Sequence, residues 1–182
     1  MQPALLLIDV QQGLCEGPGA AWLTPQLIGR TNQLAQAARA ASAPVVWIQH
    51  EAQHELQHGS PAWQLADGLA PAPQDLRVRK TTPDSFNRTE LEALLRQRGV
   101  DTLIIGGMHT EFCVDTTTRR ALALGWPVLL AADGHTSAGN AVLTAEQVIA
   151  HHNATLTNIG SFGPRVQALP VAALVRRLGE GA

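Results

Sequence analysis

The sequence predicts an α/β domain built on a mostly parallel, six-stranded sheet. Two observations predict it. Short apolar runs without alternation recur along the chain, as strands buried on both faces do. Between them lie stretches with apolar residues at helical spacing, opened by capping signals and closed by glycine or proline. Strand and helix alternate with no repeat and no linker, which implies right-handed crossovers and helices on both faces. The length of 182 residues fits one unit, 1–182, and is too short for two comfortable domains.

Each element has its own signal. Ala4-Leu5-Leu6-Leu7-Ile8 is the first strand and stops at Asp9. Thr24-Pro25 reads as the N-cap and first turn of a helix. Leu27, Thr31, Leu34, Ala38 and Ala41 carry its stripe, and Pro44 breaks it. Val45-Val46-Trp47-Ile48 is the second strand. From Gln49 to Pro73 no period is visible, and a loop this long in a compact domain is usually functional or disordered. Leu76 to Lys80 is a third, more polar strand. Thr89-Glu90-Leu91-Glu92 is a capping box for a helix ending at Gly99. Thr102 to Ile105 is the fourth strand and enters Gly106-Gly107. A helix through Ala121, Leu122 and Leu124 stops at Gly125, and Pro127 to Ala131 is the fifth strand. Thr144-Ala145-Glu146-Gln147 is a second capping box, Ala154 to Ile159 the sixth strand, and Val171 to Leu178 the closing helix.

Composition excludes several function classes. Thirteen basic and fifteen acidic side chains give a formal charge of -2, without the basic excess of a nucleic-acid or anionic-membrane binder. Two cysteines cannot build a disulfide framework, and no Cys-x-x-Cys is present. No apolar run reaches transmembrane length, and the start lacks the basic region and cleavage site of a signal peptide. A cytoplasmic protein with free thiols is therefore expected. No Gly-x-Gly-x-x-Gly or P-loop follows the first strand, which argues against a nucleotide-binding domain.

In parallel α/β sheets, ligands sit beyond the carboxyl ends of the strands. Three such ends carry reactive groups: Asp9, Lys80, and the run Gly106 to Cys113. Thr110 is placed to cap the following helix, which puts Cys113 in its first turn. The helix dipole and a nearby lysine would then favour the thiolate. Asp9 is placed to take the thiol proton and pass it to a leaving amine. Unpaired N–H groups in the glycine-rich turn would serve an oxyanion. Taken singly, each residue is ordinary. A small cysteine is often a core residue, an aspartate often ends a strand, and a lysine there is usually solvated. Cys15 lies in a loop-like run with no basic neighbour and is read as a bystander.

These residues resemble a known family. Leu6-Leu7-Ile8-Asp9-Val10-Gln11, then Arg79-Lys80 with Ser85-Phe86-Asn87, then Gly106-Gly107-Met108-His109-Thr110-Glu111-Phe112-Cys113-Val114-Asp115-Thr116-Thr117 are similar to the isochorismatase-like cysteine hydrolases. The Gly-x-x-Thr-x-x-Cys-Val-x-x-Thr run is the most specific part. The resemblance implies a three-layer α/β/α, Rossmann-like hydrolase fold and a homodimer or homotetramer. It implies an Asp9–Lys80–Cys113 triad, a cis peptide between Met108 and His109, and an oxyanion hole from the backbone N–H groups of His109 and Cys113. True isochorismatases lack a cysteine at position 113. Its presence favours hydrolysis of an amide or carbamoyl C–N bond through a thioester.

The alternatives are a nicotinamidase-type, metal-assisted amidase and a binder of small molecules without catalysis. Nicotinamidases hold a metal with an Asp-x-His pair after the second strand. His50 matches the histidine, but Ile48 stands where the aspartate should be. His50, His54 and His58 recur every four residues, so a helix would align them for zinc. No acidic or cysteine ligand is fixed beside them, so neither metal nor cofactor is expected. Phe86, Trp63, Met108 and Phe112 are the expected walls of a pocket for a small-molecule substrate.

Overall fold

The computed structural model describes residues 1–180, so the last two residues of the 1–182 unit lie outside it. Six strands form one sheet in the order β3-β2-β1-β4-β5-β6. They are β1 (Pro3–Ile8), β2 (Val45–His50), β3 (Leu76–Lys80), β4 (Thr102–Met108), β5 (Val128–Thr136) and β6 (Val166–Leu169). Every neighbouring pair is parallel. Strand order reverses between β1 and β4, where crevices for ligands form in open α/β sheets.

The helices are α1 (Gln12–Cys15), α2 (Thr24–Ala40), α3 (Leu91–Gln97), α4 (Asp115–Ala123), α5 (Ala145–Asn158) and α6 (Val171–Glu180). Alternate residues of β1 face opposite layers, as the period of a strand demands. Ala4, Leu6 and Ile8 pack with Leu91 and Leu95 of α3, Ala121 and Leu122 of α4, and Leu156 of α5. Leu5 and Leu7 pack with Leu34, Ala35 and Ala38 of α2 and with Val171, Leu174 and Leu178 of α6. The sheet is thus covered on both faces, which explains its unalternated apolar runs. Among the described residues, no helix is long and apolar enough to cross a membrane.

Several sequence expectations change. Ala154 to Asn158 is not a strand but the end of α5. The Thr144 capping box forms as expected, with Thr144 Oγ1 accepting from the Gln147 N–H. Val148 and Leu156 are buried two turns apart, so the apolar pattern there is helical. The sixth strand instead follows the next turn, and its four residues are too few for a periodic signal. Strand β5 runs on to Thr136, so Asp133 and His135 lie within it rather than after it. The box at Thr89 does not form: Thr89 Oγ1 donates to the Ser85 carbonyl at 2.6 Å, and Glu92 turns to Arg96. Thr24 is not the N-cap of α2. That place falls to Leu23 at φ 54°, while Thr24 Oγ1 donates to the Cys15 carbonyl. The loop after β2 holds only a short 3-10 turn, Pro61–Trp63, and a bridge from Leu65 to Gln11.

Candidate active site

The sheet brings Asp9, Lys80 and Cys113 together at its carboxyl edge. Asp9 follows β1 and bends the chain out of the sheet at φ 53°, a left-handed conformation that aspartate tolerates better than most residues. Lys80 ends β3, two strands away. Cys113 sits in a single π-helical turn, Thr110–Val114, between β4 and α4. The turn starts after a cis peptide between Met108 and His109. Gly107 lets β4 lie close against β1: its φ is 122°, and a Cβ there would collide with the Ile8 backbone.

Lys80 is the hub. Its side chain is fully buried, and a buried ammonium needs a partner for each N–H. Nζ donates to Asp9 Oδ2 at 2.7 Å and to Cys113 Sγ at 3.2 Å. It also lies 3.1 Å from His50 Nδ1. Asp9 Oδ1 is buried without a partner. The carboxylate therefore has one oxygen tied to the ammonium and one open.

The thiol differs from the sequence expectation. Burial and then the Asp9 carboxylate push Cys113 up to about 12, and Lys80 pulls it down only in part. The direction of that shift favours the thiol form, against the pull of Lys80. Thr110 does not cap the turn either. Its Oγ1 pairs with His135 Nδ1 at 2.8 Å, and His135 Nε2 meets Asn153 Oδ1 at 3.0 Å. Burial holds His135 down at about 4, so the pair is one of neutral groups. Burial also lowers His109, against the opposing pull of Glu111 and Asp9, and its Nε2 has no partner. Glu111 Oε1 accepts from Ser137 Oγ at 2.8 Å, while Oε2 is buried and unpaired.

The expected pocket walls scatter. Phe86 is a core ring, stacked on Trp126 with centroids 5.6 Å apart. Met108 is buried in a cluster with Val10, Ala21 and Leu27. Phe112 points outward and is 58% exposed. Trp63 meets His58 edge-on at 4.6 Å, and its carbonyl accepts from Gln11 and Gln49. The groove that opens beside the hub, about 590 Å³, is lined by polar groups, among them His50, Glu51, Gln57, His58 and Thr81.

The histidines of the long loop do not align, because no helix forms there. His50 ends β2, while His54 and His58 are exposed. A different trio, Asp9, His50 and Cys113, has ligand atoms within 4.8 Å of one another. The Lys80 ammonium contacts all three of these side chains. A divalent ion there would meet a like charge and compete for the same lone pairs, so the donor set does not fit a metal. Sequence reasoning weighed His50 only as a metal ligand and gave Gln11 no role of its own; the structure joins the two. Gln11 Oε1 accepts from the His50 N–H at 2.8 Å, and Gln11 Nε2 donates to the His50 carbonyl at 3.1 Å.

Comparison with known proteins agrees with this architecture. The sequence model of the Isochorismatase domain matches residues 3–159. A streptothricin hydrolase of Streptomyces noursei is 38% identical over 72% of this chain and 49% of its own length. A ureidoacrylate amidohydrolase, RutB, of Methylobacterium radiotolerans is 30% identical over 76% of this chain and 63% of its own. The crystal structure of an isochorismatase family protein superposes with a TM-score of 0.84 at 39% identity, covering 92% of this chain and 98% of that one. The chain spans about half the length of the streptothricin hydrolases it matches.

Proposed function

The chain belongs to the isochorismatase family, and from that premise we propose that it is a cysteine hydrolase cleaving the C–N bond of a small amide, carbamoyl or ureido compound. One observation carries the reading: the Lys80 ammonium lies against both Asp9 Oδ2 and Cys113 Sγ, with Asp9 Oδ1 left open. The similarity to a streptothricin hydrolase and a ureidoacrylate amidohydrolase supports the C–N bond as the target.

In this reading Asp9 accepts the Cys113 proton, and a thiol held up at about 12 needs such a base. The sulfur attacks the carbonyl carbon, and Lys80 balances the charge that moves between sulfur and carboxylate. The backbone N–H groups of His109 and Cys113 receive the oxyanion. The C–N bond then breaks, and Asp9 returns its proton to the nitrogen, which leaves as ammonia or an amine. Water attacks the thioester and gives a proton to Asp9. The C–S bond breaks, the acid departs, and Cys113 regains its proton. The polar groove beside His50 suits a substrate that hydrogen-bonds along its length.

The test is a panel of amides, carbamoyl compounds and ureides, read by release of ammonia or amine. The expected result is turnover by the metal-free protein and none by Cys113→Ala. Tight binding without release would make the protein a binder. Activity that appears only on adding a divalent ion would favour the nicotinamidase-type reaction.

A further inference from the structure

We propose that His50 is a positioning residue: its Nδ1 lone pair takes the third N–H of Lys80 and so aims the other two at Asp9 and Cys113. The inference rests on the reading of Lys80 given above. An ammonium has three donors and no acceptor. Here those donors have three partners, at 2.7, 3.1 and 3.2 Å. The Lys80 side chain is fully buried in the intact site, so its three donors rely on protein partners.

His50 is itself held on two sides. In the parallel register of β2 and β3 it is the direct partner of Lys80, so both side chains reach the same edge. Gln11 clamps its backbone N–H and carbonyl. Because the Lys80 ammonium is a donor only, the nitrogen that faces it carries the lone pair and the ring proton sits on Nε2. Burial and the adjacent Lys80 charge favour the neutral ring, against Asp9 and Glu51, and only the neutral ring offers a lone pair.

This geometry also separates His50 from the base of a cysteine–histidine dyad. Its ligand atom lies within 4.8 Å of Sγ, but the hydrogen-bond contact it makes is with Nζ. His50 therefore acts through Lys80 and does not take the thiol proton.

The experiment measures iodoacetamide alkylation of Cys113 at pH 8, which needs no substrate, together with kcat and KM on any amide found active. In His50→Leu, Lys80 is free to turn away from sulfur. Alkylation should fall about tenfold, and kcat about 10- to 100-fold with KM changed less than about threefold. His50→Asn keeps an acceptor near the Nδ1 position and should recover alkylation to within about threefold. If His50→Leu does not fold, His50→Val makes the same comparison with a residue suited to a strand. A folded Leu or Val variant that alkylates at the wild-type rate overturns the proposal, as does failure of Asn to rescue. An alkylation defect rescued by Asn in a protein that hydrolyses nothing would uphold His50 and sink the hydrolase reading.

Discussion

Asp75 and Asp9 are both carboxylates with buried side chains in an ion pair, yet they stand at opposite ends of the sheet. Asp75 precedes β3 and has hydrogen bonds on both of its oxygens. Arg39 donates Nε to Oδ1 at 3.0 Å and a terminal nitrogen to Oδ2 at 2.6 Å. Trp47 Nε1 and the Ala72 N–H both add bonds to Oδ2 at 2.8 Å. Asp9, at the carboxyl end, has one bond to Lys80 and an oxygen with none. The difference teaches how to tell a structural ion pair from a reactive one. A carboxylate bonded at both oxygens presents no bare oxygen to a proton. One with an open oxygen beside a protonated thiol has both the vacancy and the donor.

The largest expected effect would break the comparison if it failed. Asp9→Asn keeps the shape of the side chain but not its basicity, and kcat should fall by about three orders of magnitude or more. Circular dichroism should register an intact fold. Retained activity would remove Asp9 from the chemistry.

Next comes stability. Asp75→Ala strands a bidentate arginine and an indole N–H, and should cost about 3 kcal/mol in urea unfolding. Its kcat should stay within twofold or so of wild type, because Asp75 lies at the opposite end of the sheet from Lys80. A loss of activity without a loss of stability would reverse the assignment.

The acid limb sharpens the contrast. His135 is held at about 4, below its ordinary value of 6.5, first by burial. The neutral ring favours the fold, so its contribution is complete above pH 6.5 and is lost as pH falls toward 4. The loss should reach about 3 kcal/mol, and His135→Gln should lack that slope. Asp75 is opposed by its own burial, but the Arg39 bonds win and lower it. Its contribution should therefore hold until the pH drops below the ordinary carboxylate range.

The smallest effect lies at alkaline pH. Burial and then Glu16 raise Cys15 to about 11. The thiol form favours the fold, so stability should decline as pH climbs from about 9 through that value. Cys15→Ala should lessen the decline in melts at pH 8 and 10, the remainder coming from Cys113, with no change in kcat. The same upward shift at Cys113 makes another point. A raised thiol is not a mark of function, because Cys15 has one with neither a lysine nor an open carboxylate in contact.

Much of the site was legible because its residues end strands. An apolar run that halts at Asp9, and a polar strand that halts at Lys80, locate two groups without any knowledge of contacts. The cysteine run after β4 located the third. The role of His50 was not legible. Its spacing from His54 and His58 suggested a helix and a metal, whereas its actual partner, Lys80, lies across a strand pairing thirty residues away. Phe86 was ambiguous for a related reason. A ring near a motif reads equally well as pocket or core, and only its stacking on Trp126 decides.

The sequence by itself determined the parallel α/β architecture, the alternation of elements and the strand ends where reactive groups stand. Those properties are local: periodicity, capping and chain breakers act within a few residues. The tertiary structure decided the burial of Cys113 against Lys80 and Asp9, the open oxygen of Asp9, the third bond of Lys80 and the polar lining of the groove. Each of these depends on burial and on which strands lie side by side, quantities that no window along the chain contains.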